Sequence, residues 1–332
     1  MQKNYQEKWN DLLQAHVPNN VSLAKELSEL LDISLDSAYR RLRNETDYSL
    51  EEAAVIANHF NLPLEALNNE RHAMVSFKTN QLTQDSSSYQ SYLKTMLESV
   101  KYLHKFENSQ IYFGAEDIPV FYHYGKTNLM KFKIVYWLKS LLLVDEFQNK
   151  HVEEIELDQE MIQTAEEIYN AFTQVNSLEV WTHETVLSTI KQIRFYWEAG
   201  FFKEERTVKE VLDDLESVLQ NIQRQAELGQ MLAPNGSVRS SKYTLYISDV
   251  MIGTNSIIAQ ANELRLAFIS YNTFNFMQTG NQEFTLQSEN WMNNLISRST
   301  LVSGVSERIR NQFFKSMYRQ IHNLKAEIDS SL

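Results

Sequence analysis

The chain has no cysteine among its 332 residues. Disulfides, thiolate-held zinc and thiol catalysis are thereby excluded, and the composition fits a reducing cytoplasm. Glycine and proline are scarce, at eight and four, so helix-forming stretches are seldom interrupted and helix should dominate. No long hydrophobic run exists. The longest, Ile134 to Val144, is broken by Lys139 and Ser140, whereas a membrane span needs roughly 20 apolar residues. Met1 to Gln14 is polar and lacks the apolar core of a signal peptide. Catalytic signatures are missing too. The eight histidines are scattered, without a His-Glu-x-x-His pair, and neither a glycine-rich phosphate loop nor a Gly-x-Ser-x-Gly elbow occurs. The expectation is therefore a protein that is not an enzyme and carries no metal or cofactor. Basic charge is also in deficit: the net charge is −12, against the positive footprint that usually meets a phosphate backbone.

The informative stretch of the sequence begins at Val21. Leu23, Leu27, Leu30 and Leu31 recur at three- and four-residue spacing and share one face of a short helix. Asp32 comes next, where the chain must turn, a residue that tolerates left-handed backbone, and Ser34 is placed to cap a second helix starting at Leu35. In that helix Leu35, Ala38 and Leu42 fall on one face, while Asp36, Ser37, Arg40, Arg41, Arg43 and Asn44 fall on or beside the other. Ser49-Leu50-Glu51-Glu52 reads as a capping box for a third helix, with Ala53, Ile56, Ala57 and Phe60 inward and a stop before Leu62-Pro63. Upstream, Tyr5, Trp9, Leu12 and Leu13 mark a further helix of the same bundle, with Trp9 in its core. Two short helices joined by a tight turn, the second small inside and arginine-rich outside, suit entry into a DNA major groove.

This segment resembles the lambda-repressor-like, Cro-type (Xre family) helix-turn-helix. Leu27-Ser28-Glu29-Leu30-Leu31-Asp32-Ile33-Ser34 matches the family's second helix and turn, usually Leu-Ala-x-x-Leu-Gly-Val-Ser, and Ser49 to Leu67 resembles its closing helices. Three departures stand out: Ser28 for alanine, Asp32 for glycine, and Arg43-Asn44-Glu45 for Glu-x-Gly after the recognition helix. The resemblance covers about a fifth of the chain. It implies a DNA-binding domain in a transcription regulator.

The domain plan is a helix-turn-helix domain over 1–70, a linker over 71–88, and a helical dimerisation or effector domain over 89–332 with a small antiparallel β element near 243–269. The fold class is mainly α. Met74 to Phe77 reads as one short strand. Tyr89–Phe106, Asn128–Val144, Leu157–Phe172, Ser177–Trp197 and Glu204–Leu228 read as helices. The last has a heptad-like seam from Val208 to Ala226, suited either to a dimer contact or to packing within the chain. Tyr243–Met251, Ile257–Ala261 and Leu264–Ile269 read as strands, with two more helices after Gly280. The aromatic run around Ile111–Phe113 and Ile118–Tyr124 is either a ligand pocket or ordinary core. Arg298, Ser299, Thr300, Ser303, Ser306 and Arg308 form either an anion site or a simple helix cap.

Two functions are compatible with these features. In the first, Ser34, Asp36, Ser37, Arg40, Arg41, Arg43 and Asn44 contact double-stranded DNA, with base reading near Asp36, Ser37 and Arg40 and phosphate contacts from Arg41, Arg43 and Asn44. Residues 1–67 carry six Lys and Arg against eleven Asp and Glu, so a homodimer with two footprints is expected, with a small-molecule or peptide effector. In the second, the acidic helix-turn-helix does not touch DNA and the chain is a protein- or peptide-interaction module.

Overall fold

The structure, a computed structural model, describes residues 4–17, 22–60, 62, 64–67 and 75–330. The N-terminal bundle contains α1 (Tyr5–His16), α2 (Leu23–Leu31), α3 (Leu35–Leu42) and α4 (Leu50–Phe60), with a single 3-10 turn after it at Leu64–Leu67. Trp9, Leu13, Leu23, Leu27, Ala38 and Ile56 are buried together at its centre. The helices start where the sequence places caps: Asn4 and Glu7 form a capping box on α1, Ser22 caps α2, Ser34 caps α3, and Ser49 and Glu52 exchange hydrogen bonds before α4. The stop expected at Leu62-Pro63 falls partly outside the described residues, as do Val21 and residues 68–74.

Beyond the bundle the mainly α expectation fails. The rest of the chain is built on a nine-stranded mixed sheet, in the order β1-β8-β7-β6-β2-β3-β5-β4 with β9 paired to β5. Its strands are β1 (Lys78–Thr79), β2 (Ser109–Gly114), β3 (Asn176–Trp181), β4 (Gln230–Leu232), β5 (Val238–Ile247), β6 (Ser256–Ala261), β7 (Leu264–Tyr271), β8 (Asn275–Thr279) and β9 (Thr300–Leu301). The predicted hairpin over 257–269 is present as β6 and β7, with Asn262 in left-handed backbone at the turn. It is one part of a much larger sheet. The strand expected at 74–77 lies instead at Lys78–Thr79, paired with Gln278 and Met277 of β8, so this stretch is anchored to the sheet edge.

The centre of the sheet is parallel: β2 runs beside β3, and β3 beside β5. Crossovers of helix join them, as parallel pairing requires. Between β2 and β3 lie α6 (Val120–His123), α7 (Thr127–Tyr136) with a π-helical turn at Trp137–Leu141, and α8 (Gln159–Phe172). Between β3 and β4 lie α9 (Leu187–Glu198) and α10 (Glu205–Leu228). The expected single helix Ser177–Trp197 is therefore a central strand and a separate helix. The reason is visible in β3. Ser177, Glu179 and Trp181 face the main core, while Leu178 and Val180 face the other side, so the polar residues lie on the side that hydrophobic alternation assigns to apolar ones.

One face of the sheet carries the large core with α5 (Ser86–Leu103), α6–α10 and α12 (Glu307–Ser330). The other is covered by α11 (Gln282–Ser297), which packs Met292 and Leu295 on Val180 and Ile258. The α10 seam from Val208 to Ala226 is buried inside the chain, against α7 and α12, which resolves that alternative in favour of intrachain packing. Among the described residues no helix is long and apolar enough to cross a membrane.

Candidate nucleic-acid interface

Ser28, Asp32 and Ser34 hold the turn between α2 and α3. Asp32 adopts φ 52° and ψ 47°, the left-handed conformation that glycine usually supplies and that Asp tolerates better than most residues. Ser28 donates its hydroxyl to the Ile33 carbonyl at 2.6 Å, fastening the last turn of α2 to the turn residue. Ser34 then caps α3: its Oγ accepts from the Ser37 amide at 3.2 Å and lies 2.9 Å from the Ser37 hydroxyl. Both serines thus set the entry angle of α3.

The far end of α3 is gripped by α1. Asn10 Nδ2 donates to the carbonyls of Arg41 and Leu42 and to Asn44 Oδ1, at 2.9, 3.3 and 2.9 Å. Gln6 Nε2 donates to the Arg41 and Thr46 carbonyls, and its Oε1 accepts from the Tyr48 amide. These bonds add side-chain partners to the carbonyls at the end of α3 and in the turn after it. Asn44 sits at φ 61°, so the chain leaves α3 through one residue in left-handed backbone, which Asn tolerates better than most residues.

The seven predicted contact residues, on α3 and at its two ends, divide. Ser34, Asp36 and Arg40 are exposed and Ser37 is half-buried beside them. Arg41 is drawn inward: its Nε and Nη2 bond both oxygens of Glu52 on α4, at 3.1 and 2.8 Å, and its Nη1 reaches the Ser37 carbonyl. Glu52 closes the α4 capping box at the same time, so one carboxylate fixes both the start of α4 and the rear of α3. Arg43 makes a bidentate pair with Glu45 on the exposed surface, where solvent screening leaves little energy in the contact. Arg40 is exposed, and among the described residues it is the arginine of the three that forms no ion pair.

Leu35 does not face inward as its spacing suggested. It is 47% exposed, and Tyr39 is 44% exposed; Ile33 from the turn packs on the bundle core instead. Because α3 has only eight residues, Ala38 and Leu42 suffice to seat it. The outward stripe is therefore Leu35, Asp36, Tyr39, Arg40 and Arg43. Tyr39 follows Leu35 by four residues and Asp36 by three, so it shares their exposed face. An apolar side chain on such a face can read a thymine methyl group, and an arginine a guanine edge.

The residues of the second predicted cluster have these partners. Ser303 is buried, its Oγ accepting from the Leu245 amide at 2.9 Å. Ser299 donates to the Leu295 carbonyl, and Thr300 belongs to β9. Arg310, not among the residues singled out, is buried and donates to the carbonyls of Val302 and Gly304. Arg298 and Arg308 are exposed at opposite ends of the segment, and Ser306 accepts through its carbonyl from the Arg310 amide. Ser303 thus ties the segment to β5, Ser299 bonds back to α11, and Arg310 holds the loop's own carbonyls.

Two buried polar clusters were not foreseen. Glu179 on β3 accepts from Tyr122, Ser177, Trp181 Nε1 and Tyr243, at 2.8, 3.1, 2.9 and 3.1 Å. Burial raises its carboxyl to about 7 despite those four donors. Lys133 on α7 donates to Asp117, Thr189 and Gln192 at 3.2, 3.1 and 2.8 Å, and burial lowers its ammonium from the ordinary lysine value while Asp117 opposes the shift. The carboxylate and the ammonium are both fully engaged by protein partners, which suits a structural role. Among the described residues no group of three or more metal-ligating side chains forms a site.

A family model described as BetR domain matches residues 3–87, covering the bundle and ending just inside α5. No curated protein and no solved structure matches the chain.

Proposed function

We propose that this chain is a cytoplasmic, sequence-specific DNA-binding transcription regulator that acts as a homodimer, with the sheet-based domain as its dimerising and effector-sensing part. The observation that carries the reading is the stripe on α3. It presents Leu35, Asp36, Tyr39 and Arg40 outward, while α1 and Glu52 hold the helix from behind. Rigid support behind an open face is what base reading needs, since a recognition helix must enter the groove at a fixed angle. Arg40 and Tyr39 would read base edges. Arg43, released from its exposed pair with Glu45, would meet a phosphate.

Net acidity is met by pairing two copies. One bundle offers few free cations, so affinity for a single half-site is low and a double site is preferred. The rival reading, an interaction module that does not touch DNA, draws on the engagement of Arg41 and Arg43 with glutamates. Salt separates the two. With two phosphate contacts per dimer, one from Arg43 of each copy, affinity for a labelled duplex should fall roughly tenfold between about 50 and 200 mM salt. Binding that ignores salt, or no duplex binding at all, would favour the interaction module.

A further inference from the structure

A cavity of about 590 Å³ lies where the N-terminal bundle meets the sheet domain. Its floor is apolar, with Met96 and Val100 of α5, Phe121 of α6, Ala259 of β6, Phe268 of β7 and Phe276 of β8. The bundle closes the remaining side with His16 and Val17 at the end of α1, Glu26 of α2, and His59 and Phe60 at the end of α4. Tyr102 lines the same wall and donates its hydroxyl to the His16 carbonyl, a direct tie between the two regions. The volume falls within the range of small-molecule sites and holds roughly twenty water-sized groups.

We infer that this cavity is the binding site of a neutral amphiphile, an aliphatic or alicyclic body with one uncharged hydrogen-bonding end, gripped jointly by the bundle and the sheet domain. The apolar floor selects the body. The end group is set by charge at the mouth, where Glu26 and Glu98 balance Lys78 and Lys105, so neither a carboxylate nor an ammonium is favoured over a neutral group. Thr79, Ser99 and Gln278 stand among the apolar residues as hydrogen-bonding partners. Burial keeps the His16 imidazole uncharged, its pKa lowered to about 4, in accord with a neutral partner. A ligand that touches both regions fixes their relative orientation, and it shifts an equilibrium by as much as it prefers one arrangement. The consequence for DNA rests on the proposed function above. Capture of the ligand does not.

The test is calorimetric titration of the full chain with 1-octanol, 1-decanol and 1-dodecanol. Each added methylene should tighten binding about fourfold until the cavity is full. Ser99→Trp and Met96→Trp, which fill the space from α5, should abolish binding while leaving the far-ultraviolet spectrum unchanged. Phe60→Ala should weaken it several-fold, and unchanged affinity there would remove the bundle from the site. Absence of saturable binding, or affinity indifferent to chain length, overturns the assignment even if a tryptophan variant fails to fold. Duplex binding with and without decanol is read separately: a bound alkanol that leaves DNA affinity unchanged overturns the coupling. A chain that binds alkanol but no duplex sinks the DNA reading and leaves the cavity assignment standing.

Discussion

The bundle and the sheet domain use polar side chains in opposite ways. In the bundle, Gln6, Asn10, Ser28, Ser34 and Glu52 work at helix ends and turns, where backbone groups would otherwise lack partners. Its interior is mostly hydrocarbon, and its buried polar groups among the described residues are the indole of Trp9 and the side chains of Asn10 and His16. In the sheet domain, Glu179 and Lys133 sit inside the main core and are satisfied by partners brought from β3, β5, α6 and α9 and from the loop after β2. The difference lies in what is satisfied: bundle side chains serve backbone groups at helix ends and turns, some of them 31 or 40 residues away as for Asn10 and Gln6, whereas in the sheet domain side chains satisfy one another inside the core.

Four experiments break or sharpen this contrast. The largest effect is expected from Asp117→Ala, which leaves Lys133 without its counter-charge in the core. Removing one partner of a buried pair costs about 3–5 kcal/mol, measured by chemical denaturation, and the sheet domain should unfold first. A loss below about 1 kcal/mol would mean that Thr189 and Gln192 suffice.

Next comes pH. Glu179 has a folded pKa of about 7 against an ordinary value of 4.5. Between those values the folded chain holds a proton that the unfolded chain releases, so stability falls as pH rises through the window, by roughly 1.4 kcal/mol per unit from this group. Glu179→Gln should flatten that slope, and an unaltered slope would assign the dependence elsewhere. His16 has the reverse sign: its folded pKa of about 4 lies below the ordinary value of 6.5, so the bundle should lose stability as pH falls from 6.5 to about 4.

A smaller effect, on recognition rather than on folding, is expected at Arg40. An arginine bonded to a guanine edge contributes about 1–3 kcal/mol of discrimination, so Arg40→Ala should relax site choice in competition binding while the melting temperature stays put. Arg41→Ala should do the opposite, loosening the bundle through loss of the Glu52 contact. The smallest effect belongs to Asn44→Ala, where a β-carbon without a compensating side chain must hold φ 61°. A loss of about 1–2 kcal/mol in bundle stability is expected, and Asn44→Gly should recover part of it. Equal stabilities of the two variants would show that the Asn10 contact, not the backbone, governs the site.

The bundle was legible because its signals are local. Leu23 and Leu27 recur at helical spacing, Asp32 marks the turn, and Ser34 and Ser49 cap the helices that start beside them. Even there Leu35 misled, since spacing says which residues share a face but not how much of an eight-residue helix its neighbours cover. The sheet was largely hidden. β2 and β3 are six residues each and enclosed on both faces, so alternation is lost, and β3 turns Ser177 and Glu179 toward the core. The long periodic helices α10 and α12 dominated the pattern. The β6–β7 hairpin was legible because two short β-like runs, Ile257–Ala261 and Leu264–Ile269, flank Asn262-Glu263. Glu179 as a site left no sequence signal, because its four donors lie between 2 and 64 residues away.

The central claim is that α3 reads DNA. Selection of the full chain on random duplex, with sequencing at low and moderate salt, tests it most directly. The account predicts enrichment of an inverted repeat with half-sites about one helical turn apart, a preference relaxed in Arg40→Ala. No enriched sequence at either salt, with or without an alkanol in the cavity, would contradict it.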